Sequence, residues 1–147
     1  MQKLNLYANW YLSGANYKNL PATVPGCVHV DLKNNGIIPD YFWRDENDKC
    51  QWIENEDWTY SCVFDFAKPC NAVNLTFEGL DTYSTIFLNG EEIGKTQNAF
   101  IPHTVNVSGK LKEKDNSLEV RFRSPVKEVE NYTKYNGAFT VERLNTR

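Results

Sequence analysis

Apolar and polar residues alternate with a period of two over much of this chain, which predicts strands rather than helices. Trp58, Tyr60, Cys62, Phe64 and Phe66 share one face against Thr59, Ser61, Val63 and Asp65. One apolar and one mostly polar face is what a half-buried antiparallel strand needs. Val73, Leu75 and Phe77 repeat the pattern against Asn74, Thr76 and Glu78. Ser84 to Leu88 then runs into Asn89-Gly90, two residues that tolerate the positive φ of a tight hairpin, and a return strand starts at Glu91-Glu92-Ile93. Thr104 to Val107 and Leu118 to Phe122 are two further strands, separated by a charged connector from Lys110 to Asn116. Short strands at regular spacing with turn residues between them predict an all-β sandwich of the jelly-roll kind.

The first third follows a different rhythm. Leu4, Leu6 and Ala8 suggest an opening strand, and Pro21 and Pro25-Gly26 punctuate an irregular stretch. One short helix is expected near residues 27–35: Val28 and Leu32 lie four apart, and Gly36 is placed to cap the C-terminal end. Tyr41-Phe42-Trp43 through Trp52-Ile53 reads as a long, aromatic-rich, charged loop, a kind of segment that is uncommon unless it packs or binds something.

Composition narrows the function classes. The 147 residues fit one domain spanning 1–147, and 14% of them are aromatic. A net charge of −3 gives no electrostatic reason to expect nucleic acid or an anionic membrane as partner. No apolar run approaches the roughly 20 residues of a membrane helix, and Met1 to Asn5 lack a signal peptide's apolar stretch, which leaves the compartment open. Cys27, Cys50, Cys62 and Cys70 show no paired spacing, so free thiols are expected rather than a disulfide framework or a zinc site. The triplets at Asn74, Asn106 and Asn131 match a glycosylation pattern at the level chance supplies, and the first two fall on outward strand faces.

Particular segments go further. Trp10-Tyr11-Leu12, Pro21 to Leu32 (PATVPGCVHVDL), Gly36 to Phe42 (GIIPDYF), Gln51-Trp52-Ile53, Asp57 to Tyr60, Phe77 to Tyr83 (FEGLDTY) and Leu88-Asn89-Gly90 resemble the N-terminal domain of family 2 glycoside hydrolases of the β-mannosidase type. The Pro21 to Asp40 stretch is similar to the β-mannosidase branch, and Phe77 to Gly90 to the wider family. The resemblance implies a galactose-binding-like jelly roll ahead of an immunoglobulin-like domain and a catalytic barrel. It implies that the catalytic carboxylates lie on that barrel, so none is expected in this chain. Hydrolysis of terminal β-D-mannose residues would belong to the parent enzyme, with no metal or organic cofactor. An exo-β-glucosaminidase or β-galactosidase, or an independent carbohydrate-binding module, are the alternatives. The resembling proteins continue past Arg147 into a Trp-Asp-bearing segment and further strands. The jelly roll is therefore expected to lack its last strands, and exposed edges would favour self-association.

Three groups are candidates for chemistry. The carboxylates Asp45, Glu46, Glu54, Glu56 and Asp57 are numerous, but glycoside hydrolysis needs two at a set separation, and a solvated loop explains them equally. The aromatic residues Tyr41, Phe42, Trp43, Trp52 and Trp58 could stack on sugar rings or could bury against the sandwich. The third group is Asn98-Ala99-Phe100 with His103, a loop that could face a ligand or simply turn the chain. Trp43, Asp45, Glu46, Asn47, Trp52 and Asn98 are the substrate-side candidates. Arg44-Asp45-Glu46-Asn47 stands where the family usually reads Arg-Asp-Asn-Glu. Asp81-Thr82 reads as a structural loop anchor.

Overall fold

The computed structural model describes residues 3–42, 46–67 and 72–136. Eight strands are present among them: β1 Trp10–Gly14, β2 Tyr17–Ala22, β3 Trp58–Phe64, β4 Asn74–Phe77, β5 Ser84–Leu88, β6 Glu91–Thr96, β7 His103–Asn106 and β8 Asn116–Phe122. Six form one antiparallel sheet in the order β2-β1-β3-β8-β5-β6, and β4 pairs with β7 in a second sheet. This is the expected sandwich.

Cross-strand register explains how the core forms. Leu12 faces Tyr60, Tyr60 faces Val120, and Val120 faces Ile86, so one buried side chain from each of four strands stands in a row. Trp10, Cys62, Leu118 and Leu88 make the adjacent buried row. Each fully buried Leu or Ile contributes about 1.5–3 kcal/mol relative to exposure. The second sheet turns Leu75, Phe77 and Val105 inward, while Asn74, Thr76, Thr104 and Asn106 face out. Close strand approach needs glycine at one point. A Cβ on Gly14 would stand 2.5 Å from Trp58 Cε3 and 2.6 Å from the Asp57 carbonyl oxygen.

The hairpin at Asn89-Gly90 forms as its chemistry requires, with φ of 52° and 84°. Asn89 also knits it to β8: its Oδ1 accepts the Ser117 N–H at 3.0 Å, and its Nδ2 donates to the Lys110 carbonyl at 2.9 Å. Asn116, fully buried, accepts the Lys112 N–H at 2.8 Å and donates to the Lys112 carbonyl at 2.7 Å, holding the charged connector shut.

The N-terminal third departs from expectation in three places. No strand covers Leu4 to Ala8; Asn9 adopts φ 60°, which breaks the extended run, and regular pairing starts at Trp10. The Trp10 indole instead donates to the Leu6 carbonyl at 2.7 Å. Pro21 lies inside β2, not in an irregular stretch; β2 is an edge strand, where a missing N–H costs nothing in the ladder. With Asn19 at φ 54°, Pro21 also blunts that edge against pairing with another chain.

More helix is present than the single segment expected. α1 spans Val28–Asn34 and ends as Gly36 suggested. Gly36 takes φ 70°, its N–H donates to the Lys33 carbonyl, and the Ile37 N–H reaches back to Leu32. Much of the anticipated loop is α2 (Glu46–Cys50) followed by a 3₁₀ helix at Gln51–Asn55, because Cys50 and Ile53, three apart, both bury in the core. After β8, α3 covers Pro125–Asn136. Ser124 caps it, accepting the Lys127 N–H at 3.2 Å, and Pro125 occupies the first helical turn.

Candidate functional site

The helical segments gather at the sandwich end where β3 begins. There the chain needs a rigid platform, and a buried carboxylate supplies it. Asp31 of α1 is 1% exposed, accepting the Tyr60 hydroxyl at 2.7 Å and the Thr23 N–H at 2.9 Å. Burial and the neighbouring carboxylate push the Tyr60 phenol far above its ordinary range, so it stays a donor. Asn35 adds bonds to the Pro21 and Asp31 carbonyls. A further clamp comes from Ser124, whose hydroxyl donates to the Glu54 carbonyl at 2.6 Å and whose N–H donates to Asp57 Oδ1 at 2.8 Å.

On this platform the aromatic residues divide by burial. Trp58 is core, its indole donating to the Ile53 carbonyl at 2.9 Å. Trp52 is half-buried, its ring 6.1 Å from that of Trp58. His29 meets Tyr41 edge-on at 5.4 Å, and Tyr41 tilts against Phe42 at 4.4 Å. Burial lowers the His29 pKa, with Glu54 partly opposing, so the imidazole favours its neutral form. Phe42 at the tip of the stack is 84% exposed. Lys33 and the Phe42 N–H hold the Asp40 carboxyl below its ordinary range, fixing the turn that presents Phe42.

The candidate residues are spread over this end. Glu46 and Asn47 are consecutive on α2, with Glu46 Oε1 2.7 Å from Lys49 Nζ and Asn47 exposed. Trp43, Arg44 and Asp45 lie outside the described residues, as does Cys70. Asn98 sits in the loop after β6; Thr96 pairs with Ser84 and Ser84 with Phe122, which faces Trp58, so this loop and the 3₁₀ helix share one end. Its side-chain oxygen accepts the Phe100 N–H at 2.8 Å, and its carbonyl lies 2.8 Å from His103 Nε2. Both groups serve the turn, and the turn leaves Phe100 95% exposed. Asp81 accepts the Thr82 hydroxyl.

Among the carboxylates, Glu46 is spent on Lys49 and Asp57 on Ser124. Among the described residues no three His, Cys, Asp or Glu side chains come together as a metal site, and no helix is long and apolar enough to cross a membrane. Cys27, Cys50 and Cys62 are free thiols, and burial pushes the Cys62 thiol up to about 12.

One concavity was not anticipated. On the outward face of the six-stranded sheet an open cavity of about 730 Å³ is lined by Tyr11, Ser13, Asn19, Thr59, Ser61, Ser117 and Glu119 among others. Its signal was present in the polar half of the β3 alternation, Thr59 and Ser61, which alone reads as a solvated face.

Residues 10–147 match the family described as glycosyl hydrolase 2 galactose-binding domain-like. The chain is 42% identical to a beta-mannosidase of Bos taurus over 127 residues, 84% of this chain and 14% of that protein. It is 37% identical to a beta-mannosidase of Rattus norvegicus over 143 residues, 93% of this chain and 16% of that protein. The crystal structure of a beta-D-mannosidase from Dictyoglomus thermophilum superposes with a TM-score of 0.88 at 42% identity, covering 94% of this chain and 18% of that one.

Proposed function

Since the chain belongs to the glycosyl hydrolase 2 galactose-binding domain-like family, we propose that it serves as the non-catalytic N-terminal domain of an exo-acting β-mannosidase. The observation that carries this reading is the likeness to the Dictyoglomus thermophilum enzyme over nearly the whole chain. In the parent enzyme, a carboxylate pair elsewhere would hydrolyse terminal β-D-mannose residues. This domain would pack on the catalytic barrel, with an immunoglobulin-like domain beside it, and shape one wall of the sugar site. The exposed phenylalanines support the docking role: Phe42 and Phe100, 84% and 95% exposed, offer apolar surface of the kind a neighbouring domain covers. Trp43, Asp45, Glu46, Asn47, Trp52 and Asn98 are the wall-forming candidates.

Transplantation tests the proposal. The chain replaces the matching segment of the Dictyoglomus thermophilum enzyme, and aryl β-mannoside hydrolysis is assayed. A working chimaera is expected, with KM raised by Glu46→Ala or Asn47→Ala. A folded but inactive chimaera, or turnover by the isolated chain, would refute the reading.

A further inference from the structure

We propose that the outward face of the six-stranded sheet is a separate saccharide-binding surface, taking a short neutral oligosaccharide in the trough along β3. The trough follows from strand register. Tyr11 on β1 faces Ser61 on β3, which faces Glu119 on β8; Ser13, Thr59 and Arg121 make the next row. Thr59 and Ser61 therefore form a hydroxyl floor that Val63 closes with an apolar step at one end, and Tyr11, Glu119 and Arg121 are the taller groups on the strands either side. Walls on β1 and β8 stand two strand spacings apart, roughly 10 Å. The floor from Thr59 to Val63 runs roughly 13 Å along the strand. That is room for a di- or trisaccharide, and the 730 Å³ cavity falls in the size range of small-molecule sites.

The lining chemistry favours a neutral polyol. Ser13, Thr59, Ser61 and Ser117 with Asn9 and Asn19 supply hydroxyls and amides that both donate and accept. Tyr11, 43% exposed, gives one aromatic face for sugar C–H groups. Glu119 is the charged residue of the lining, and Arg121 neutralises it through Nε at 3.1 Å and Nη2 at 2.8 Å. Arg121 also lies over the Phe87 ring at 4.2 Å on the neighbouring strand. A charged ligand would find no net opposite charge. A protein surface would find little to bury, because the large exposed apolar groups here are Tyr11 and Val63, whereas Phe42, Phe100 and Ile101 sit on loops away from this face.

The test is a titration of the isotope-labelled chain with β-1,4-mannotriose, cellotriose and tri-galacturonate, read by amide NMR shifts. Saturable shifts at Tyr11, Ser61, Ser117 and Glu119 with a neutral trisaccharide, and none there with tri-galacturonate, are expected. Tyr11→Ala should weaken binding about tenfold. The floor-filling Ser61→Gln should abolish binding while leaving the melting curve unchanged. No shifts, shifts confined to Trp52 and Phe42, or equal response to the anionic sugar would each overturn the proposal. So would absence of maleimide label at position 61, read by peptide mapping, in a Ser61→Cys, Cys27→Ser chimaera, since another part of the protein would then cover the trough. Chimaera activity does not enter this readout, so the two proposals fail separately.

Discussion

Tyr60→Phe removes one oxygen atom and leaves the ring, so it isolates the bond on which the helical platform rests. Asp31 is 1% exposed and Tyr60 8%, and the lost partner cannot be replaced by bulk water. A hydrogen bond to a charged acceptor is worth about 1.5–3 kcal/mol, and an ionised carboxylate left with the Thr23 N–H as its remaining side-chain partner is costly. The expected loss is about 2–3 kcal/mol, a large part of the roughly 5–15 kcal/mol that holds a domain together. With a urea m-value of about 2 kcal/mol per molar, the midpoint followed by tryptophan fluorescence should fall by about 1 M. A second readout separates the bond from general packing. The folded Tyr60 pKa is raised above its ordinary 10.0, so the unfolded chain releases this proton first. The stabilisation is therefore complete below about pH 10 and shrinks as pH rises past it, and the Phe variant should show a shallower alkaline decline. Combined with Asp31→Asn, the double-mutant cycle should give a coupling of about 1–2 kcal/mol. A loss below about 0.5 kcal/mol, an unchanged alkaline slope or zero coupling would refute the platform argument.

Three other outcomes follow from the same geometry. Gly14→Ala should cost about 3 kcal/mol, because its methyl meets Trp58 and the Asp57 backbone, whereas Gly36→Ala should cost only about 1 kcal/mol, for a φ of 70° with open space around it; paired thermal melts compare them. Asn116→Ala should cost about 3 kcal/mol in the same assay, since it takes their side-chain partner from the Lys112 amide and carbonyl and from the Phe64 carbonyl. For His29, whose folded pKa is lowered below 6.5, the unfolded chain binds more protons in acid. Stability should hold above about pH 6.5 and fall as pH drops below it, and His29→Phe should remove that part of the decline in urea midpoints taken from pH 7.5 to 5.

The sandwich was legible because one buried face imposes a period of two on every strand that lines it. β3 and β8 alternate buried and half-buried residues almost to their ends. The hairpin was legible because few residue pairs adopt two positive φ values in succession. Pattern reading failed where tertiary context overruled local preference. Leu4 to Ala8 alternate correctly, yet Asn9 turns the chain before they can pair. β2 carries a proline that only an edge tolerates, and edge position is not written in the strand itself. The helical segment after Glu46 hid behind its aromatic content, since Cys50 and Ile53 as anchors emerge only once the core they enter exists. α3 is different. Ser124-Pro125 followed by Glu128 is a recognisable helix start written in the chain itself.

Three residues of the motifs that carry the family resemblance hold structure together. Asp31 locks α1 to β3, Gly36 ends α1, and Asn89 fastens the hairpin to β8. Such positions report the fold and say nothing about which sugar is bound. The exchanged pair Glu46-Asn47 is the opposite case. α2 is held by the burial of Cys50, and neither Glu46 nor Asn47 contributes to that anchor. The Glu46–Lys49 pair is worth only about 0.3–0.5 kcal/mol as a surface ion pair. The fold is therefore nearly indifferent to the order of these two residues. If this domain forms one wall of the sugar site as proposed, the order of the two residues would act on substrate rather than on stability. Restoring the family order in the chimaera by the double change Glu46→Asn with Asn47→Glu should leave the melt unchanged and alter KM.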